Sequence, residues 1–232
     1  MKEIIDQINK EIKQYRINDK ARLMAVSKTH PYTAVLEAYQ VGERLFGENK
    51  VQEVLAKFPP KAERPKDMQV HLIGHLQSNK VKKIVGEVDS IDSVDSFKLA
   101  QKISRVAEEK GLIVPVLLEY NTSGDENKTG FYSYEDILSV CQQASSLPGI
   151  RIDGLMTIGP LGGDEEQVKK AFEKLVALKK DLCRDTSLPL DELSMGMSGD
   201  YKIALACGST MVRVGTKIFG KRDYPLKENA RV

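Results

Sequence analysis

The chain has 232 residues, 35 Lys+Arg against 33 Asp+Glu and a formal charge of +2, with the two signs interspersed. Near neutrality excludes a charge-driven nucleic-acid binder, and a composition that is 41% hydrophobic and 29% charged excludes a disordered or collagen-like chain. No apolar run reaches the roughly 18 residues that span a bilayer, Met1 to Lys20 has no signal-peptide core, and Cys141, Cys183 and Cys207 lack the CxxC spacing of a zinc site. The expectation is a soluble, cytoplasmic protein with reduced thiols and with no metal, membrane or nucleic-acid partner.

In chain order, Ile4, Ile5, Ile8, Ile12 and Tyr15 fall at helical spacing among Lys and Glu and predict an amphipathic N-terminal helix. Arg22 to Lys28 (RLMAVSK), stopped by Thr29, His30 and Pro31, predicts a buried strand and then a Pro-started helix through Tyr39. The rhythm repeats as Leu45 to Gly47 then Val51 to Phe58, Gln69 to Gly74 then Val81 to Val85, and Ser90 to Ser93 then Phe97 to Glu109. It continues as Ile113 to Tyr120 then Glu135 to Ala144, Ile152 to Ile158 then Glu165 to Leu182, and Leu193 to Gly196 then Tyr201 to Ala206. Met211 to Gly215 is an eighth strand, and a polar tail follows Gly220.

Strands alternating with helices imply a parallel sheet, and continuous apolar strands imply burial on both faces, although Pro115 donates no ladder bond. Eight such units in about 220 residues predict an α/β fold, a single (β/α)8 TIM barrel over residues 1–232. The N-terminal helix then stands in for the missing eighth one. A doubly wound open sheet is the alternative.

In a barrel the chemistry sits at the carboxyl ends of the strands. Lys28 closes the face shared by Met24 and Val26, where desolvation favours a neutral amine able to form a Schiff base with a carbonyl. On position alone a solvated lysine at a loop mouth is the commoner outcome. Ser194, Gly196, Ser198 and Gly199 lie in a small-residue turn between strand seven and a short helix, and Gly215 and Thr216 end strand eight. Barrels hold phosphates in these two loops. Arg213 shares a face with Gly215; inside the barrel it needs a partner, either a carboxylate such as Asp153 or Glu119 or a pyridine nitrogen. Met156, Met195 and Met197 sit near strand ends as packing or pocket-lining thioethers. His71 and His75 are about 13 Å apart along a strand, too far to share a metal ion. His75 is placed at the strand mouth and His71 in the core or lower barrel. Gly215 to Arg222 (GTKIFGKR) only approximates a P-loop, because Arg222 stands where Ser or Thr is required.

Taken together, AVSKTHP (25–31), FGENKVQE (46–53), HLIGHLQSNK (71–80), NKTGF (127–131), GLMTIGP (154–160), LSMGMSGD (193–200) and VRVGTKIFG (212–220) resemble the pyridoxal phosphate homeostasis family, the YggS/PROSC type. The resemblance implies a fold-type III barrel similar to the N-terminal domain of alanine racemase, with pyridoxal 5'-phosphate (PLP) as cofactor. It implies Lys28 as the Schiff-base lysine, Ser198, Gly215 and Thr216 as phosphate contacts, and Arg213 at the pyridine nitrogen. Asn49, Met156 and Met195 would line the pocket, with His75 as a neighbour. It also implies storage, buffering or delivery of PLP to apo PLP-dependent enzymes, and a monomer is expected. An Arg beside the ring nitrogen disfavours its protonation and weakens the electron sink. The rival is an amino-acid racemase, whose second acid/base in alanine racemase comes from a further domain and the partner subunit. With 12 residues after Gly220 there is no room for that domain, and Tyr201 is the nearest substitute. A cofactor-free Schiff-base aldolase would also use Lys28.

Overall fold

The computed structural model describes residues 1–125, 128–143, 146–160 and 162–220. Helix α1 (Lys2–Tyr15) buries Ile5, Ile8 and Ile12, one apolar stripe at spacings of three and four, while Ile4 and Tyr15 remain exposed. The units that follow are β1 (Arg22–Val26) with α2 (Tyr32–Gln40), β2 (Leu45–Glu48) with α3 (Val51–Lys57), β3 (Gln69–Leu72) with α4 (Val81–Ile84), and β4 (Ser90–Val94) with α5 (Phe97–Glu109). The second half contains β5 (Val114–Glu119), α6 (Tyr134–Gln142), β6 (Ile150–Met156), α7 (Glu165–Thr186), β7 (Glu192–Met197), α8 (Tyr201–Ala206), β8 (Met211–Val214) and α9 (Thr216–Phe219). Helix starts carry local signals: Ser96 and Ser133 cap α5 and α6, and Asp164 with Gln167 forms a capping box on α7.

The strands pair in parallel in chain order, and β8 closes on β1 with Leu23 opposite Val212 and Met24 opposite Arg213. This closed barrel rules out the open doubly wound sheet. Pro115 is tolerated as the second residue of β5, near the strand start where a missing donor costs little. Helix α1 packs on β1, α8 and α9, and so covers the seam left by the short α9.

Alternation along each strand separates two apolar regions. Met24, Val26, Leu45, Leu117, Met156 and Met211 fill the barrel interior, whereas Ala25, Phe46, Leu72, Leu118, Leu155 and Val212 face the helix layer. Each large side chain fully removed from water contributes about 1.5–3 kcal/mol. The interior also holds buried polar groups that pair with one another: His71 Nδ1 lies 3.0 Å from Asp92 Oδ2, and Ser90 Oγ donates to Asp92 Oδ1 at 2.5 Å. His71 lines a small cleft at the amino-terminal end of the barrel with Arg22 and Glu192, which agrees with its lower-barrel placement.

The structure corrects two local expectations. β1 ends at Val26, so Lys28 lies in the turn beyond it. β7 runs through Met197, which puts Ser194 and Gly196 inside the strand. Its pairing with β8 shifts between Ser194 opposite Met211 and Met197 opposite Arg213, three residues against two, which is a β-bulge. Gly196 takes the left-handed φ of +94° there, and a Cβ on it would sit 2.5 Å from Ala204 Cβ. Ala144, Asn127, Arg222 and the tail lie outside the described residues. Among the described residues the three cysteines are free thiols, Cys141 being pushed up to about 12 by burial, and no helix is long and apolar enough to cross a membrane.

Candidate functional site

At the carboxyl ends of the strands lies a cavity of about 450 Å3, within the size range of small-molecule and cofactor sites. Lys28, Asn49, Ser198, Arg213, Gly215 and Thr216, all expected from the sequence, line it, and His75 joins them. A wider groove of about 650 Å3 at the opposite end, bordered by Lys10, Arg22 and Glu43, brings together none of these residues.

Met195 and Met156 are corrections. Met195 is fully buried in the outer core between barrel and helices, and Met156 packs in the barrel interior with Val26 and Ile73, which do line the cavity. The β7 bulge accounts for Met197 taking a place in the wall. Strict alternation from Ser194 would turn position 196 inward, whereas the extra residue brings Met197 into the cavity wall.

Arg213, 5% exposed, donates to Ser194 Oγ at 2.6 Å and to the Thr157 carbonyl at 2.7 Å. Desolvation lowers its pKa, opposed by the charges of Asp92, Asp200 and Glu119. Asp153 is not its partner; that carboxylate holds Arg151, with Oδ1 2.5 Å from Nε. Among the described residues no carboxylate lies within ion-pair distance of Arg213, and two of its five N–H donors are accounted for by the two bonds above. A buried guanidinium lining a cavity is a ready partner for a ligand acceptor.

Two turns face that arginine. Asp200 Oδ1 accepts from the Met197 amide at 2.5 Å and the Asp200 amide donates to the Met197 carbonyl at 3.1 Å, which pins residues 197–200. Neither the Ser198 nor the Gly199 amide donates to a protein acceptor among the described residues. Beside them, α9 starts at Thr216, with the Ile218 amide on the Gly215 carbonyl at 2.8 Å. Free amides and hydroxyls of this kind suit a phosphate. Gly74 makes a close approach on the far wall: a Cβ there would lie 2.3 Å from the Asn49 carbonyl oxygen.

The reading of the residues missed one acid as a site residue. Glu119, the last residue of β5, is 4% exposed, lines the cavity and accepts from Thr129 Oγ1 at 3.0 Å. Burial raises its pKa, with Asp95 adding to the rise and Arg213 and His75 opposing it. The strand-end filter that selected Lys28 selects Glu119 equally well. His30 and Thr129, inside the AVSKTHP and NKTGF segments, also line the cavity, and His30 stacks on Phe219 at 5.3 Å. His75 Nδ1 lies 2.9 Å from Asp95 Oδ2 at the rim. Tyr201 is corrected as an acid/base candidate. It is 2% exposed outside the cavity, its hydroxyl donates to the Glu11 carboxylate, and burial with that bond drives its pKa upward. Lys80 and Lys128 do not line the cavity, and Lys128 Nζ donates to the Gly159 carbonyl at 3.0 Å.

Fold and site together define a fold-type III-like barrel with a lysine, a buried arginine and two phosphate-sized turns at one mouth. The family model described as alanine racemase, N-terminal domain, matches residues 5–223. The chain is 43% identical over 219 residues to the human pyridoxal phosphate homeostasis protein, covering 89% of this chain and 78% of that one. It is 40% identical over 204 residues to the Aquifex aeolicus protein of the same name, covering 88% of each. The chain belongs to the pyridoxal phosphate homeostasis protein family. Among solved structures, PipY of Synechococcus elongatus without PLP superposes with a TM-score of 0.84 at 40% identity, covering 94% of this chain and 100% of that one. The structure of PipY with PLP bound gives 0.82 at 38% identity, with the same coverage. An alanine racemase of Clostridium difficile, 16% identical, shares the fold over 97% of this chain and 58% of its own, at a TM-score of 0.71.

Proposed function

We propose that this chain binds PLP as a Schiff base on Lys28 and stores, buffers or delivers it to apo PLP-dependent enzymes, as a monomeric single-domain barrel in the cytoplasm. The observation that carries this reading is the convergence of Lys28, Arg213, the 197–200 turn and the Gly215–Thr216 turn on one cavity. The residues fit the cofactor: an amine for the aldehyde, a buried cation with spare N–H groups for the ring nitrogen, and free amides for the phosphate. Family membership and the PLP-bound structure of PipY support the same assignment.

When bound, PLP supplies an aldehyde and an aromatic ring able to delocalise electrons. Lys28 Nζ adds to the aldehyde carbon, water leaves, and the reverse hydrolysis frees the cofactor. Arg213 as a cation beside the ring nitrogen disfavours its protonation and holds the ring as a weak electron sink. The Ser198, Gly199 and Thr216 amides and hydroxyls hold the phosphate against loss while the imine opens and closes. Asn49 and Met197 bound the ring. Efficient turnover of an amino acid is not expected, because the Arg213 cation holds the ring as a weak electron sink, and Tyr201, the acid/base candidate named from the sequence, is committed to Glu11.

A visible absorbance spectrum before and after borohydride, with peptide mapping of the reduced lysine, tests the proposal. The expected result is a bleached band and a label on Lys28. A colourless protein that takes up no added PLP, or a label on Lys80 or Lys128, overturns it.

A further inference from the structure

The turn carrying Lys28 is tied down on both sides by groups that do not line the cavity. Before it, the Ser27 amide donates to the Gly47 carbonyl at 3.2 Å, and Ser27 Oγ donates to Glu48 Oε1 at 2.6 Å. The Ser27 carbonyl accepts from Lys57 Nζ at 2.7 Å, and the same ammonium sits 2.6 Å from Glu48 Oε1. After it, Thr29 adopts a φ of +68°, a left-handed conformation that a β-branched residue rarely takes, and its amide donates to the Glu53 carboxylate. Glu53 and Lys57 lie one turn apart on α3, 4.0 Å between Oε1 and Nζ.

This arrangement is costly to bury. The Lys57 and Glu48 side chains are 7% and 0% exposed, and Glu48 Oε2 has no hydrogen-bond partner. An apolar pair of similar volume fills such a space at least as well, so packing does not account for the ion pair. What the ion pair and Glu53 do contribute is a set of fixed anchors on the two residues that flank Lys28. A left-handed Thr persists only where its surroundings over-determine it.

We propose that Lys57, Glu48 and Glu53 form a positioning unit for Lys28: they clamp the Ser27 carbonyl and the Thr29 amide so that the turn presents the Lys28 amine to a bound carbonyl. None of the three touches the ligand. The unit acts on one step, in which the neutral Lys28 amine adds to the aldehyde carbon, the C=O bond gives way to C=N, and water departs; no oxidant or reductant takes part. The inference rests on the assignment of Lys28 made above.

Two measurements separate positioning from mere structural support. One is the rate of Schiff-base formation with excess PLP, followed by stopped-flow absorbance. The other is equilibrium affinity for pyridoxine 5'-phosphate, which has the ring and phosphate but no aldehyde. Lys57→Met alone leaves Glu48 as an unpaired buried charge and can fail to fold, so the working variant is Lys57→Met with Glu48→Gln, which removes both charges at similar volume. Glu53→Ala, at a side chain 22% exposed, removes the Thr29 acceptor without opening the core.

The expected result is imine formation slowed about tenfold or more in the double variant and about threefold or more in Glu53→Ala, with analogue affinity within about twofold of the unmodified protein; a misplacement of 1 Å can cost about 100-fold in rate. Unchanged rates in both variants overturn the proposal. So does a loss of analogue affinity in proportion to the loss of rate, which marks a general collapse of the cavity. Failure of the unmodified protein to form a borohydride-reducible bond at Lys28 overturns the Lys28 assignment itself, and is seen before any variant is made.

Discussion

Gly74→Ala tests whether the cavity wall is built on backbone contact between β2 and β3. A Cβ at position 74 would sit 2.3 Å from the Asn49 carbonyl oxygen, 2.8 Å from its Cα and 2.9 Å from its carbonyl carbon. Ordinary contact begins near 3.4 Å, so the two segments must part by about 1 Å, and the obstacle is main chain with no rotamer to yield. Overpacking of this kind costs about 1–3 kcal/mol, while the entropy gain of replacing Gly returns about 0.4–1 kcal/mol. The net loss of about 1–2 kcal/mol lowers the Tm of a domain this size by about 2–8 °C, to be read by thermal unfolding. Because the displaced residue is Asn49, PLP affinity falls with stability, by about tenfold or more in an absorbance titration. Gly199→Ala is the stability control, since its Cβ meets nothing within 4 Å. A Gly74→Ala protein within 1 °C and twofold of the parent would refute the close approach.

Three further outcomes are expected. Lys28→Ala loses the borohydride-bleachable band yet retains phosphate-anchored binding that equilibrium dialysis detects, weaker by about tenfold or more, each tenfold being about 1.4 kcal/mol; a reducible adduct on another lysine contradicts this. Burial raises the Glu43 carboxyl to about 7, so the folded chain holds an extra proton between the ordinary 4.5 and 7; this stability is present below pH 4.5 and lost as pH rises through 7. Glu43→Gln, whose amide oxygen still accepts from the Arg44 and Leu45 amides, removes that loss, on the order of 3 kcal/mol, and parallel urea curves for parent and variant at pH 5 and pH 8 would contradict it. Incubation with alanine and other amino acids in D2O yields no α-deuterium by NMR, and any enzyme-dependent exchange would restore the racemase reading.

Much of the site was legible because its parts are local. A lysine ending an apolar face and small residues after the last two strands need only their neighbours to be recognised, and Lys28, Ser198, Gly215 and Thr216 all line the cavity. Arg213 was readable as inward-facing from its alternation with Gly215, but its partners, Ser194 and Thr157, were not, because they lie 19 and 56 residues away. Met195 entered through the family resemblance, and that Met197 and not Met195 reaches the cavity wall follows from a bulge that shows only in the register against β8. Glu119 satisfied the strand-end rule yet was read only as a possible neighbour of Arg213.

By itself the sequence determined the order of strands and helices, the parallel α/β class and the turns that border the cavity, since burial on both faces, helix caps and small-residue turns each mark a short stretch of chain. Tertiary structure alone decided that β8 closes on β1, which methionine faces the cavity, that the Tyr201 hydroxyl is turned to Glu11, and that Lys57 and Glu48 stand behind Lys28. Each of those depends on the register and packing of segments far apart in the chain, and no local pattern of residue types encodes the distance between them.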